Sequence, residues 1–326
     1  GYYLATQVLT TRRRILLLLV ACLLSSGLLA VYGIATQAVQ GSFRAYQEIA
    51  SPFFRNHCIY AAFLALSLSV AIAFALGCCH AGRRGLLYAF IGLFAGAIML
   101  SFVRGAWLSL GGMLLFNAWV FRRRIDYRVV TAIFLAGILL VVVLVGVGVG
   151  TKILERLGTI ADTGYSANFD RLDRWAAAWR MYQDHPLAGV GYGTYADRRK
   201  EGYIHYRSAY SSRIRMGAHN LYLEILAETG ILGLFAFLWL MWRYFVGAAR
   251  SLRHDSDPFR VSLIVGSVGA VITFLTHAFV NNLGPSDKMF ITFWLLIALV
   301  PITSRLRGTE EASRASSPAV PEVSGP

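Results

Sequence analysis

Charged residues are scarce in this 326-residue sequence. They make up 15% of the chain, against 56% for hydrophobic residues, whereas a soluble domain ordinarily carries about 25% charge. The apolar residues come in runs of about 16 to 23 rather than in stripes spaced for one helix face, so they do not indicate a single large soluble core. The composition therefore predicts an all-α integral membrane protein.

Cysteine is also rare, and the four that occur lie within or at the ends of apolar runs. That placement argues against a disulfide framework, and the adjacent pair followed by a histidine lacks the ligand spacing of a zinc site. We therefore expect small apolar helix residues at these positions, no metal site and no cofactor. The cysteines are Cys22, Cys58, Cys78 and Cys79, with His80 after the last of them.

The sequence does not start with methionine. It begins at Gly1 in the middle of a pattern, so we expect a fragment of a longer protein whose earlier helices are missing. The other end is small, polar and proline-containing, and residues 305–326 are predicted to form a disordered tail on the cytoplasmic side.

Long apolar runs are what the sequence has in abundance. Eight of them predict membrane-spanning helices, five in residues 1–149 and three in residues 220–304. Each is long enough to cross about 30 Å of hydrocarbon, although 105–120 and 287–303 are short. The predicted spans are 15–34, 57–79, 85–102, 105–120, 129–149, 220–246, 260–281 and 287–303.

Basic residues give the predicted orientation. If the first residues are cytoplasmic, every arginine cluster falls on the cytoplasmic side after eight crossings, as the positive-inside rule requires, and residues 150–219 form a long outer loop. The net charge of +14 is mostly accounted for by these flanks and by the loop, so nucleic acid is not an expected partner. The clusters are Arg12 to Arg14, Arg83 and Arg84, Arg122 to Arg124 with Arg128, Arg243 to Arg260, and Arg305 to Arg314.

The outer loop is predicted to contain one helix, over residues 168–183, followed by a glycine-rich turn. Asn168 or Asp170 would cap the start of this helix, and Pro186 ends it. Residues at i, i+3, i+4 and i+7 spacing predict one face that rests on the membrane surface or on the helix bundle. That face consists of Trp175, Ala178, Trp179 and Tyr182, and the turn is GVGYGTY at 189–195.

Three arginines could bind an anion at the outer side. Arg104 lies between two apolar runs in LSFVRGAWLSL, where it is either an interface anchor or an anion ligand that faces the loop. Arg171 and Arg174 share one side of the loop helix, and guanidinium groups match phosphate oxygens bidentately. The alternative for this pair is local ion pairing with Asp170 and Asp173.

His219 begins HNLYLEIL at the mouth of a membrane helix, where it either transfers a proton or is an interfacial residue with no task. Asn220 could cap that helix or orient the imidazole. Glu224 and Glu228 are costly in a membrane helix, so we expect them to face the protein interior and to pair with loop arginines or hold a catalytic group. The residues expected to contact substrate are Arg174, Asn220, Arg213, Arg215, Tyr222, Glu224 and His277, with Asn281 and Asn282 beside the last.

The order of these motifs resembles that of the O-antigen ligase and polymerase superfamily. RGAWL at a helix turn is followed by R-x-x-x-W in the loop, then by HPLAGVGYGTY and HNLYLEILAETGILGL, within residues 90–245. The resemblance implies a GT-C-like, metal-independent glycosyltransferase of the bacterial inner membrane, with a helical fold and a periplasmic active site. Such enzymes take a glycan from undecaprenyl pyrophosphate, and the ligases transfer it to the lipid A core of lipopolysaccharide. The expected partners are these two substrates and membrane lipids.

The resemblance also implies three catalytic residues. Arg104 matches the arginine at the helix end, Arg171 the arginine four residues before tryptophan, and His219 the histidine that ends the loop. Arginines at these positions would stabilise the charge on the departing pyrophosphate. A neutral histidine would take the proton from the attacking sugar hydroxyl, and direct attack would invert the anomeric centre.

Two kinds of alternative stay open. Within the superfamily, a polymerase or a protein O-oligosaccharyltransferase would share the helix-and-loop plan. From another class, a transporter or flippase for an anionic lipid-linked substrate would use the basic loop for binding only. Transporters place ionisable groups near mid-membrane on broken helices, whereas here these groups gather at one face, which favours chemistry at the membrane surface.

Overall fold

The computed structural model is helical in the residues that it describes. No strand occurs in those ranges, which agrees with the predicted all-α fold. The helices of the described part are α1 (Tyr2–Val8), α2 (Arg12–Val39), α3 (His57–Gly77), α4 (Ala81–Leu100), α5 (Arg104–Phe121), α6 (Ser166–Asp184), α7 (Leu221–His254), α8 (Pro258–His277) and α9 (Asp287–Ser316). The described residues are 1–39, 49–54, 56–78, 81–122, 166–195, 217–281, 283 and 287–316.

Seven of the eight predicted spans coincide with a helix, namely α2 to α5 and α7 to α9. The remaining one, 129–149, lies outside the described residues. Five helices, α2, α3, α7, α8 and α9, are long and apolar enough to cross a membrane, and α4 contains a shorter apolar helix, Arg84–Leu100. The chain is therefore a multi-pass membrane protein, whereas the count of eight spans is not confirmed.

Both ends of the chain differ from the prediction. The short helix α1 precedes the first predicted span, and α9 continues through residues 305–316, where the sequence predicts a disordered tail. Contacts with other helices account for the extension of α9. Arg305 donates to the Thr6 carbonyl at 3.2 Å, and Glu310 forms an ion pair with Arg260.

Large apolar side chains cover the outside of α7 beyond its first turns. Six of them are between 42% and 65% exposed, and a soluble monomer rarely leaves so large an apolar surface in water. Lipid would cover this face, which agrees with a membrane-spanning role for α7. The six are Ile231, Leu232, Phe235, Leu238, Trp239 and Trp242.

Helices α3 and α8 are the most buried of the apolar helices, and they approach closely. Ser262, Gly266 and Ala270 place a small residue at every fourth position of α8, which lets two helix backbones come together. A Cβ at Gly266 would lie 3.1 Å from the Cα of Val70 on α3. Ser69 on α3 donates its hydroxyl to the Gly266 carbonyl at 3.1 Å, which fixes the height at which the helices cross.

The helix ends gather at two opposite faces of the bundle. The first, called the site end below, comprises the ends of α2, α4 and α8 and the starts of α3, α5, α7 and α9. Gln37 Nε2 donates to the Leu100 carbonyl at 2.8 Å and joins the last turns of α2 and α4. The N–H of Leu221 donates to the Ala278 carbonyl at 2.9 Å and joins the start of α7 to the end of α8.

The opposite face, called the basic end, carries most of the described arginines. Arg12 at the start of α2 faces Asp257 just before α8 at 3.7 Å, and Arg307 on α9 donates to the carbonyl of His254, the last residue of α7, at 3.1 Å. Successive long helices thus run in opposite directions, as the predicted crossings require. The described arginines of this end are Arg12, Arg13, Arg14, Arg84, Arg122, Arg250, Arg253, Arg260, Arg305 and Arg307.

Candidate active site

The turn between α4 and α5 holds Arg104 at the first residue of α5. The last carbonyls of a helix have no partner within it, and here Trp107 Nε1 donates to the Ile98 carbonyl at 3.1 Å. Ser101 Oγ donates to the same carbonyl at 2.6 Å. Phe102 within the turn has a φ of 55°, an unusual value for a bulky residue. A tight and strained turn therefore precedes the RGAW motif, whose half-buried arginine is the first residue of α5.

Gly105 brings the start of α5 against the end of α8. A Cβ at Gly105 would lie 2.7 Å from Cγ2 of Val280 and 3.2 Å from both Nδ2 of Asn281 and Cδ2 of His277. Any larger residue would push these elements apart. Because Arg104 precedes this contact directly, its backbone lies next to the His277 segment.

His277 is fully buried at the last position of α8. Asn281 Nδ2 lies 2.7 Å from His277 Nε2. An amide nitrogen can only donate, so Nε2 accepts and the neutral imidazole carries its proton on Nδ1. Nδ1 has no hydrogen-bond partner among the described residues. A buried donor in this state is suited to meet an oxygen of a bound ligand.

Arg171 reaches the same region from the loop helix α6. It is half-buried, and its charge acts electrostatically on both His277 and the thiol of Cys58. Since Cys58 lies in the first turn of α3 and His277 in the last turn of α8, Arg171 lies near the site end of the two central helices. Arg104 and Arg171 are thus both close to the end of α8.

His219 lies in the short segment that leads into α7, with a φ of 53°. Its neighbours are anchored on both sides. The N–H of Ala218 donates to the Glu224 carboxylate at 2.7 Å, and Asn220 Oδ1 accepts from two backbone N–H groups of the first turn of α7, at 3.0 and 3.1 Å. Asn220 therefore caps the helix as predicted. A histidine kept in a left-handed conformation by such anchors is a common sign of a functional position.

Two residues predicted to bind substrate have mainly structural contacts. Tyr222 donates its hydroxyl to the Leu275 carbonyl at 2.9 Å and packs on the Phe279 ring with 4.4 Å between centroids. Arg174 is 2% exposed, and its Nη1 donates to the Gly217 carbonyl at 3.3 Å. The contact of either residue with substrate stays a prediction. Two further predicted ligands, Arg213 and Arg215, lie outside the described residues.

The glycine-rich segment after α6 replaces hydrogen bonds that α7 loses at a break. Gly230 interrupts α7 with a φ of 67° and a ψ of −168°. The freed Ala227 carbonyl accepts from Val190 N–H at 2.9 Å, and the freed N–H of Ile231 donates to the Pro186 carbonyl at 2.9 Å. The sequence predicts only a turn here, whereas the structure shows a backbone-to-backbone joint between loop and helix.

Two glycines permit this joint. Gly189 has a φ of 67°, and a Cβ on it would lie 2.5 Å from the Glu228 carbonyl oxygen. A Cβ on Gly230 would lie 2.6 Å from the nitrogen of Ala188. Both positions therefore need a left-handed backbone and empty space where a side chain would begin. The HPLAGVG and ETG motifs are two halves of one contact.

Glu228 on α7 also binds the glycine-rich segment, through its side chain. Its buried carboxylate accepts from the N–H of Gly193 at 2.9 Å and of Tyr195 at 3.0 Å. The Tyr195 hydroxyl then donates to the carbonyl of Arg174 at 2.9 Å. Backbone amides, rather than the predicted loop arginines, thus satisfy this carboxylate. A chain of contacts runs from Glu228 to Gly217, two residues before His219. An acidic residue in an apolar helix, in a chain that also carries a glycine-rich loop, was the sequence signal for this contact.

Replacing Glu228 with glutamine should weaken this chain. An amide group offers one acceptor oxygen where the carboxylate offers two, so one buried N–H would lose its partner at a cost of about 1–3 kcal/mol. We expect a lower unfolding temperature in detergent. Glu311→Gln, which changes a carboxylate at the basic end whose side chain is 69% exposed, is the control and should leave the unfolding temperature unchanged. Equal effects of the two changes would contradict the proposed role of Glu228.

The face of α6 that is buried in protein holds Arg174 and apolar residues, while Trp179 is 49% exposed. The buried apolar positions are Ala177, Ala178 and Met181. These join Val190, Tyr195, Ala218 and Ala227 in a small apolar cluster. Small side chains allow α6 to lie close to the joint, while its tryptophan points outward. The helix also begins at Ser166, before the predicted caps Asn168 and Asp170, and ends at Asp184, ahead of Pro186 as predicted.

The site end offers no obvious metal centre. Among the described residues, no group of three or more histidine, cysteine, aspartate or glutamate side chains is arranged to hold a metal ion. Two arginines and two histidines, from α5, α6, α8 and the start of α7, lie at this end of the bundle. Such a set is suited to bind an anion and to move a proton.

A comparison with models of protein families finds a match that includes the segments of this candidate site. Residues 87–238 match the family model described as O-antigen ligase. The match begins in α4 and extends through the RGAW turn, α6, the glycine-rich segment and the break in α7. A search of curated proteins found no significant match. The matched region is similar to the O-antigen ligase family, and the match supports membership of the O-antigen ligase/polymerase superfamily.

Proposed function

We propose that this protein is an O-antigen ligase. It would transfer a glycan from undecaprenyl pyrophosphate to the lipid A core of lipopolysaccharide at the periplasmic face of the inner membrane. The observation that carries the proposal is the meeting of three elements at the end of α8. Arg104 precedes the Gly105 contact with His277, the charge of Arg171 acts on His277, and Leu221, two residues after His219, bonds to Ala278.

The distribution of charge supports the proposed orientation. Arginines concentrate at the basic end, which the positive-inside rule assigns to the cytoplasm. The site end then faces the periplasm, at the level where the pyrophosphate of a membrane-anchored donor would lie. A transporter would need ionisable groups along a path through the membrane, so gathering them at one end favours a transferase.

The chemistry requires charge stabilisation and one proton transfer. The bond between the anomeric carbon and the pyrophosphate oxygen breaks, and that oxygen keeps the electron pair. Arg104 and Arg171 stabilise the resulting negative charge in a site with little water. The hydroxyl oxygen of the acceptor forms the new bond on the opposite face of the sugar, which inverts the anomeric centre. His219 accepts the hydroxyl proton as general base.

The arginine assignment leads to a direct test with purified protein. Transfer would be followed with a lipid-linked glycan as donor and rough lipopolysaccharide as acceptor, with and without a chelator. We expect Arg171→Gln to lower kcat/KM by about 100-fold, the loss typical of removing a preorganised group that stabilises developing charge. Arg180→Gln, an exposed arginine on the same helix, should stay within about twofold of the unchanged protein. Equal losses in both would contradict the proposed role, and sensitivity to the chelator would contradict metal independence.

The choice of acceptor separates the ligase from its alternatives. Rough lipopolysaccharide, a second lipid-linked glycan and a serine- or threonine-containing peptide would be offered in parallel to the purified protein. Transfer to rough lipopolysaccharide supports the ligase. Transfer only to the second glycan indicates a polymerase, and transfer only to the peptide a protein O-oligosaccharyltransferase. No release of undecaprenyl pyrophosphate with any acceptor favours a transporter or flippase.

A further inference from the structure

A groove opens between α5 and α7 at the basic end. The candidate active site lies at the other end of the bundle. Helix α8 forms the floor of the groove, whose volume is about 860 Å³. This size lies within the range of sites that hold small molecules. The lining residues that matter below are Phe116, Trp119, Arg122, Phe245, Arg253 and Val268.

The polarity of the groove changes along its length. Arg122 and Arg253 stand at its mouth, with Ser256 between the helix ends. Phe245 lies eight residues before Arg253 on α7, which corresponds to about 12 Å along the helix axis. Val268 lies ten residues beyond the start of α8, about 15 Å from the helix end. The groove is thus cationic at the membrane surface and apolar below it.

The charge at the mouth is not neutralised within the described residues. Arg122 lies over the Trp119 ring at 5.9 Å, and Arg253 is exposed and has no ion pair in the described part of the chain. The one acidic lining residue, Asp255, accepts from Arg260 Nε at 2.7 Å, and its side chain is 3% exposed. Its charge is therefore matched by Arg260, and two guanidinium groups remain available to an anion.

We propose that this groove binds an anionic phospholipid of the leaflet at the basic end. One acyl chain lies along Phe116, Phe245 and Val268, and the phosphate sits between Arg122 and Arg253. Basic pockets between membrane helices bind anionic head groups by this combination of charge and apolar surface. A zwitterionic lipid would fill the apolar part equally well but would bring its own cation to the mouth. The proposal requires only that the chain spans a membrane, so it does not depend on the transfer reaction.

Spin-labelled lipids provide the test. The full chain would be reconstituted in phosphatidylcholine, and the bound fraction of spin-labelled phosphatidylglycerol would be compared with that of spin-labelled phosphatidylcholine carrying the same acyl chains. We expect a preference for phosphatidylglycerol of about tenfold, given two arginines near the surface. The double change Arg122→Gln with Arg253→Gln should remove most of that preference. The matched control is Arg13→Gln with Arg250→Gln, which removes the same charge from the same end outside the groove and should retain it.

A second variant keeps the charges and fills the groove. Ala249 is an exposed lining residue of α7, so Ala249→Trp should block the acyl chain without disturbing the core. We expect it to lower the bound fraction of phosphatidylglycerol as strongly as the arginine double change. Retained binding in Ala249→Trp would overturn the proposal, as would equal losses in the two double variants, because diffuse attraction by the basic end would explain both. Transfer activity should be unchanged in Ala249→Trp, since the active site lies at the other end.

Discussion

Replacing His219 with alanine is expected to abolish glycan transfer while leaving the protein inserted in the membrane. A positioned general base contributes about 10²- to 10⁴-fold to the rate of a proton-coupled step, and the acceptor hydroxyl is a poor nucleophile without one. The hydrogen bonds of Ala218, Asn220 and Gly217 anchor this segment, and the substitution leaves those groups in place. We therefore expect a catalytic loss with little loss of fold.

Asparagine separates the chemistry of His219 from its backbone conformation. Asn tolerates a positive φ as well as histidine does, yet it cannot act as a base. His219→Asn should thus retain the unfolding temperature of the unchanged protein and lose transfer as completely as His219→Ala. His185→Ala, which removes an exposed histidine just after α6, is the control and should transfer normally.

The cellular measurement for His219 is a lipopolysaccharide gel. The alanine and asparagine variants should leave the core without long glycan, although membrane fractions contain the protein at normal amounts. Normal laddering in either variant would contradict the proposed base. Loss of protein from the membrane fraction in His219→Asn would contradict the claim that this side chain is dispensable for folding.

The second large effect is expected at the joint between the glycine-rich segment and α7. Gly230→Ala should destabilise the protein by about 2–5 kcal/mol, because a left-handed backbone costs an L-residue roughly 1–2 kcal/mol and forced overpacking roughly 1–3 kcal/mol more. The added Cβ would overlap the backbone of Leu187 and Ala188, which cannot rotate away as a side chain could. We expect a lower unfolding temperature and faster proteolysis of the loop.

Gly247 is a matched control on the same helix. It has helical geometry, and a Cβ there would meet no atom within 4 Å. Gly247→Ala should therefore be neutral or stabilising by up to about 1 kcal/mol, since alanine favours the helix. The two variants would be compared by thermal unfolding in the same detergent. A similar unfolding temperature for both would show that the joint does not depend on Gly230.

Much of the fold follows from local sequence. Seven of the predicted spans coincide with helices because apolar length and helix-forming tendency are properties of short segments. The same applies to the end of α6 before Pro186 and to the cap at Asn220, since each needs only neighbours in the chain. Motif order also indicated the superfamily, and with it Arg104, Arg171 and His219 as candidates.

The surface that each face of α6 contacts was harder to predict. The aromatic face was expected to rest on the membrane surface or on the helix bundle. Trp179 is exposed, whereas the face that is buried in protein contains alanines and Met181. Hydrophobic spacing identifies a face that avoids water, whereas a close contact between backbones selects small residues. The difference depends on what lies opposite, which local sequence does not encode.

Only the tertiary structure decided which segments contact one another. The sequence by itself determined the helices, their alternation and the residue types available for binding an anion and moving a proton. It did not determine that Glu228 accepts from the loop amides, that Gly189 and Gly230 allow a backbone crossing, or that Gly105 lies against His277. Those contacts join residues tens to hundreds of positions apart. Their geometry depends on how the helices pack together, and the sequence of a single segment does not determine that packing.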